Sequence, residues 1–253
     1  MSHWNVKYNC WNAYKKDFSD PNSWYLYQAM RTAIKTAYKL QQLEYCNNHT
    51  GKMENMFSIS TNPATNPNCL NHCQVDGSIC QHCYSMDMNN KLYPSLKAKN
   101  QRNTDKLIHY VIGLQYLPII NPNKYPYVRF ESFGDLHNEI HFINYLNICK
   151  VNPDINFTIW TKNPDIMKRV FQAGYKKPEN LQIILSGLFL DKFIDLTKIY
   201  PFADKVFTVW TNETTCQKAG YTWNCPKRCK DCLKCYNPEY KKPEYKLIHE
   251  LLK

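Results

Sequence analysis

Residues 127–161 read YVRFESFGDLHNEIHFINYLNICKVNPDINFTIWT. YVRFESF (127–133) has the length and the β-branched and aromatic content of a strand, and INFTIWT (155–161) has the same character. Between them Asp135 can cap a helix in which Leu136, Ile140, Ile143 and Leu146 share a face. A strand, a helix and a second strand in this order form a parallel pair joined by a right-handed crossover. That unit sets the class as α/β.

The alternation continues on both sides. Towards the C-terminus, Asn163 caps and Pro164 opens a helix that buries Ile166, Met167, Val170 and Phe171. LQIILSG (181–187) reads as a strand, followed by a helix to about Tyr200 and by the strand KVFTVWT (205–211). FTIWTK (157–162) and FTVWTN (207–212) echo each other as two buried strands of one composition do, without requiring duplication. Towards the N-terminus, Asn103 or Thr104 can cap a helix carrying Leu107, Ile108, Val111, Ile112 and Leu114, which Pro118 stops, and MFSIST (56–61) is a short strand. Pro21 to Cys46 reads as a long amphipathic helix through Leu26, Met30, Ile34, Ala37 and Leu40, and Leu247, Ile248, Leu251 and Leu252 read as a short closing helix. The expected fold is a partial (β/α) barrel of about five to six parallel strands with a cysteine-rich C-terminal extension. Its parts are a helical segment at 1–50, the core at 51–212 and the extension at 213–253.

In such folds ligands gather at the C-terminal ends of the strands. The unusual loops lie there: CLNHCQVDGSICQHCY (69–84) after the first strand, then SFGD, TKNP, SG and TNETT. The first loop holds Cys69, Cys73, Cys80 and Cys83, and a second group holds Cys225, Cys229, Cys232 and Cys235, with Cys216 just upstream. Nine of twelve cysteines therefore fall in two short stretches, whose irregular gaps suit thiolates folded around a metal. Cys10, Cys46 and Cys149 stand alone and read as ordinary thiols.

The N-terminus, MSHWNVKYNC, lacks a signal-peptide pattern, and no stretch approaches ~18 continuous apolar residues, so a cytoplasmic location without membrane spanning is expected. A reducing cytosol disfavours twelve cysteines as disulfides. The formal charge of +11 fits a polyanionic partner such as nucleic acid, and equally a solvated basic surface. There is no glycine-rich phosphate loop and no serine-hydrolase elbow.

A strand, a cysteine loop ending in Cys-x-x-Cys-Tyr and further βα units resemble the radical S-adenosylmethionine superfamily. The gaps of six and two at Cys73, Cys80 and Cys83, followed by Tyr84, with RFESFGDL and FTIWTKNP, look like its spore-photoproduct-lyase-like phage branch. CPKRCKDCLKCY, GKM and FSIST are also similar to the mycobacteriophage "gene product eighty-eight" family. The resemblance covers about residues 51–236. Two departures stand out: the first loop has gaps of six and two where the superfamily has three and two, and the three-and-two pattern occurs only at Cys225, Cys229 and Cys232, after the last strand.

The resemblance implies a four-iron, four-sulfur (4Fe–4S) cluster on Cys73, Cys80 and Cys83, with one open iron. S-adenosylmethionine would bind there and be cleaved to a 5′-deoxyadenosyl radical acting on an unknown substrate, in host cytoplasm for a viral protein. An electron donor is then a required partner. The likeness points to Asp135 for the cofactor's amine, and to Lys162 and Ser186 for its carboxylate. Asp135 reads equally as a helix cap, and Lys162, apart from the resemblance, as a solvated lysine at a strand end. Cys69 as a fourth ligand would close the site. Cys225, Cys229, Cys232 and Cys235 suit either a second iron–sulfur cluster or structural zinc, their compressed gaps favouring iron; Cys216 is a doubtful member. The competing reading is a non-catalytic module, stapled by iron–sulfur or zinc, that binds nucleic acid or a protein partner.

Overall fold

Among the described residues seven strands form one sheet, whose spatial order equals their order in the chain. The computed structural model describes residues 42–47, 52–54, 56–88, 93–240 and 245–252. β1 (Tyr45–Asn47) runs antiparallel to β2 (Phe57–Ile59). From β2 onward, β3 (Tyr127–Phe130), β4 (Asn156–Thr161), β5 (Leu181–Ser186), β6 (Lys205–Trp210) and β7 (Leu247–Leu251) pair in parallel. The helices among the described residues are α1 (Pro67–Gln74), α2 (Tyr84–Asp87), α3 (Pro94–Leu107), α4 (Glu139–Val151), α5 (Pro164–Gln172), α6 (Glu213–Lys218) and α7 (Cys229–Cys232). Among the described residues the sheet is open, with β1 and β7 at its edges, and does not close into a barrel.

The period of two along each strand sorts the side chains into two faces. Val128, Phe130, Phe157, Ile159, Leu181, Ile183 and Leu185 point to the face covered by α3, α4 and α5, where they meet Leu107, Phe142, Leu146, Ile166 and Met167. Phe130 stacks on Tyr145 of α4 and on Phe157, with ring centroids 4.0 and 5.0 Å apart. Each such fully buried ring contributes about 1.5–3 kcal/mol of transfer free energy. Tyr127 and Trp160 point to the other face, where they pack against Met53, Met56, Cys229 and Tyr236. β5 is buried along its whole length, as a strand covered on both faces must be.

Several expected elements take another form. The helix expected from Pro21 lies outside the described residues except at its end, where Tyr45 and Cys46 belong to β1. The helix expected from Asn103 or Thr104 starts at Pro94 and ends at Leu107. Asn103 and Thr104 lie buried inside it and satisfy backbone elsewhere: Asn103 Nδ2 donates to Ser60 O at 3.0 Å, and Thr104 Oγ1 accepts from Asn62 N at 2.9 Å. Cap-type side chains here serve as tertiary cross-links.

Asn138, not Asp135, caps α4, accepting from His141 N at 2.9 Å. The segment after β5 forms only a 3-10 turn at Leu196–Lys198, because Gly187 N and Asp191 N bond across to Phe207 O and Val209 O and hold the chain extended. The closing segment is β7. Its apolar spacing is that of a helix, and pairing with β6 overrides it in favour of a strand.

Candidate functional site

The first cysteine loop begins in a helix. Asn66 caps α1 by accepting from Asn68 N at 2.9 Å, Pro67 takes the first position, and Cys69 and Cys73 follow four residues apart on one face. Gly77 turns the chain at φ +70°. Ser78 Oγ caps the 3-10 turn at Ile79–His82 by accepting from Cys80 N at 3.0 Å, and Cys83 stands at the N-cap of α2. The four cysteines are partly buried free thiols; Cys73 Sγ donates to Cys80 O at 3.1 Å. All eleven described cysteines are free, which leaves no disulfide among them.

The loop is tied across the strand ends. Asn66 Nδ2 donates to Asp135 O at 2.7 Å, and Asn68 Nδ2 to Leu136 O at 3.0 Å, which fixes α1 to the segment after β3. Tyr84, next to Cys83, donates its hydroxyl to Ser132 O at 2.6 Å. Ile79 N donates to Leu188 O at 2.9 Å, fixing the far side of the loop beyond β5. The cysteines are thereby held over the C-terminal ends of β3, β4 and β5.

Lys162, just past β4, lies among them. Burial alone would pull its ammonium down, but Cys80, Asp135, Cys83 and Cys69 together hold it above the ordinary lysine range. Burial pushes the Cys69 thiol well up, and the Asp135 charge pushes it further while Lys162 opposes. Burial also raises Cys73 and Cys80, the latter against the pull of Lys162. Asp135 is itself a clamp. Its carboxylate accepts from Leu136 N at 2.7 Å, from the Thr161 hydroxyl and from Lys162 N at 2.8 Å, joining the ends of β3 and β4. Three of its roughly four lone-pair sites are used. Ser186, buried at the end of β5, lies on the same sheet edge, and none of the contacts described for the loop involves it.

Glu131 escaped the sequence reading. It sits in the quoted RFESFGDL at φ +53°, buried, with its carboxyl accepting from Thr61 N at 3.2 Å, from the Thr61 hydroxyl at 3.0 Å and from the Tyr145 hydroxyl. His141 Nε2 lies 3.3 Å away but is not aligned for a hydrogen bond. Burial raises the Glu131 carboxyl to about 8 against these bonds, and burial lowers His137 and His141 to about 3. Gly134, at φ +99°, makes the packing possible: a Cβ there would stand 2.7 Å from Glu131 Oε2 and 2.9 Å from Thr61 O. The signal available in the sequence was a glutamate at a strand end followed three residues later by glycine.

The C-terminal cysteines gather elsewhere, on the face that carries Tyr127 and Trp160. Burial raises Cys235 strongly, and Cys229, Cys225 and Cys232 add to it, so the four thiols share one neighbourhood. Cys225 is pushed up to about 11 by burial, against Lys52. Cys216 is apart: it is buried in α6, and its charged neighbours are Glu213 and Asp191. Among the described residues no three His, Cys, Asp or Glu side chains converge at the spacing of one bound ion. The donor sets nonetheless suit thiophilic metal, each being four free thiols with cations close by.

The family model described as Gene product 88 matches residues 24–238, a span that includes both cysteine groups. No curated protein matches, and no solved structure does. No helix among the described residues is long and apolar enough to cross a membrane.

Proposed function

We propose, starting from a chain that belongs to the Gene product 88 family, that the first loop is the ligand set of a 4Fe–4S cluster and that the protein is an enzyme resembling the radical S-adenosylmethionine superfamily. The observation that carries this reading is the company of the loop: Cys69, Cys80 and Cys83 share one electrostatic neighbourhood with Lys162 and Asp135 over the ends of β3 and β4. When bound, such a cluster supplies the electron that cleaves the sulfonium of S-adenosylmethionine to a 5′-deoxyadenosyl radical. Cys73, Cys80 and Cys83 would hold it. The Lys162 ammonium, which has no carboxylate within ion-pair distance among the described residues, is the cation for the cofactor's carboxylate. Asp135 has one lone-pair site left for the amine, and its clamp on Lys162 N fixes the two groups relative to each other. Ser186 is a further donor for the carboxylate. A substrate and an external electron donor complete the proposal.

Cys69 favours a second reading. It lies four residues before Cys73 on the same helix, so four protein thiolates could cap the cluster and leave a non-catalytic staple in a module binding nucleic acid or a protein partner. One experiment separates the two. In anaerobically purified protein, Cys69→Ala should keep its iron and acid-labile sulfide, whereas alanine at Cys73, Cys80 or Cys83 should lose the first cluster. S-adenosylmethionine should then alter the electron paramagnetic resonance spectrum of the reduced protein, and Lys162→Met should weaken that response by about ten- to a hundredfold in affinity, the worth of one charge-assisted contact. A cluster that requires Cys69 and ignores saturating S-adenosylmethionine sinks the enzyme reading.

A further inference from the structure

The C-terminal cysteines are surrounded by groups that the first site does not use. Cys225, Cys232 and Cys235 line a cavity of about 250 Å³ together with Tyr245 and Ile248. Cys229 packs with Met53, Tyr236 and Trp160 on the sheet face opposite α4. Cys229 N donates to Lys52 O at 2.9 Å, and Cys225 Sγ lies 3.6 Å from Glu250 of β7, which the Lys52 ammonium also meets. Arg129 of β3 lays its guanidinium 4.1 Å over the Trp160 ring, with Nη1 3.6 Å from Met53 Sδ.

One buried donor here lacks a partner: Arg129 Nε meets no hydrogen-bond acceptor among the described residues. The Tyr236 hydroxyl, only 1% exposed, has the Cys229 thiol within reach but is not well aligned on it. Both are electrostatically coupled to Cys229 and Cys235. A neutral thiol is a poor acceptor, but a metal-bound thiolate is a good one. Four thiolates around a zinc ion or a 4Fe–4S cluster carry a net charge of about −2, which two cations balance. Lys52, Arg129 and Lys205 act on these thiols, and because Glu250 pairs with Lys52 the surplus is two positive charges; Arg129 would otherwise face uncharged sulfur in a poorly hydrated setting.

We propose that Cys225, Cys229, Cys232 and Cys235 hold a thiophilic metal centre on this face of the sheet, with Lys52, Arg129 and Lys205 as its charge partners and the Tyr236 hydroxyl as a hydrogen-bond donor to its sulfur. The thiols draw in when the metal arrives, since no three ligating groups stand at single-ion spacing among the described residues. Their turn is set for it: Lys227 and Leu233, both at positive φ, bracket α7. The centre is independent of the first loop.

The test uses the full chain carrying Cys73→Ser, Cys80→Ser and Cys83→Ser, so that the first loop cannot contribute. Zinc chloride titrated against a chromophoric chelator and anaerobic reconstitution with iron and sulfide distinguish the two kinds of metal. One centre per chain is expected from one of them, lost on adding Cys229→Ser and Cys235→Ser. Arg129→Met should weaken retention at least tenfold and lower the melting temperature of loaded protein, yet leave metal-free protein equally or more stable, a sign difference that a purely structural arginine would not produce. Thiol alkylation of wild type, read by mass spectrometry, covers the case of a misfolded background: Cys225, Cys229, Cys232 and Cys235 should be protected together by metal and released together by chelator. Binding that survives loss of the C-terminal thiols, no binding of either metal, or alkylation unaffected by metal would each overturn the proposal.

Discussion

Glu131→Gln isolates the buried network behind the first loop. In the folded protein the Glu131 carboxyl is raised to about 8, from an ordinary 4.5. As pH rises from 4.5 the unfolded chain loses this proton first, so wild-type stability falls until the folded group also ionises. His137 and His141 act in the opposite sense: lowered to about 3, they make the unfolded chain take up protons first as pH falls below 6.5, and stability drops in acid. Together these three groups give wild type an optimum near 6.5. Glutamine keeps the shape of Glu131 without its charge, so the variant retains the acid limb and loses the fall above neutrality. Between pH 5 and 7.5, two and a half pH units at about 1.36 kcal/mol each, the variant should gain about 3 kcal/mol relative to wild type. Urea melts of both proteins at half-unit pH steps measure this directly. A difference that does not change with pH would mean that Glu131 is already ionised in the fold, and the account of the network would fail.

Asp135→Ala removes the acceptor of three hydrogen bonds and should cost about 3 kcal/mol in urea melts, with Asp135→Asn recovering part of it; a loss under about 0.5 kcal/mol would deny the clamp between β3 and β4. Gly134→Ala places a Cβ 2.7 Å from Glu131 Oε2 at φ +99°, so a loss of at least about 2 kcal/mol is expected, and a neutral effect on thermal melting would contradict the close packing there. Truncation before Leu247 removes β7 and bares the edge of β6, so the shortened chain should elute from size-exclusion columns as aggregate; a stable monomer would show that the edge needs no partner.

The parallel core was legible because its signals were local and repeated. β3, β4, β5 and β6 are short β-branched or aromatic runs, and in α5 the three-and-four spacing of Ile166, Met167 and Val170 coincides with the side chains that are buried. What misled was chemistry that serves two purposes. Asn103, Thr104 and Asp135 have cap-type side chains, but Ser60, Asn62 and Lys162, which they meet, lie just past the distant strands β2 and β4, and no local window reveals such partners. Leu247, Ile248, Leu251 and Leu252 have helical spacing, and only pairing with the neighbouring β6 makes the segment a strand. In the site, clustered cysteines announced themselves by spacing. Glu131, Arg129 and Tyr236 did not, because a buried charge or hydroxyl has meaning only beside the groups it faces.

The strands are laid down in the order in which the chain is made. Each strand leaving the ribosome therefore meets an edge already built, and no strand must wait for a partner synthesised later, which keeps loop-closure costs low for a parallel sheet. The exception is the face above Trp160. Met53 and Met56 cover part of it early, but Cys229 and Tyr236 come only after β6, so that surface stays partly wet until the strands from β2 to β6 have been made. In a nascent chain Cys225, Cys229, Cys232 and Cys235 thus arrive at a sheet already built as far as β6, and stay accessible until β7 pairs with it.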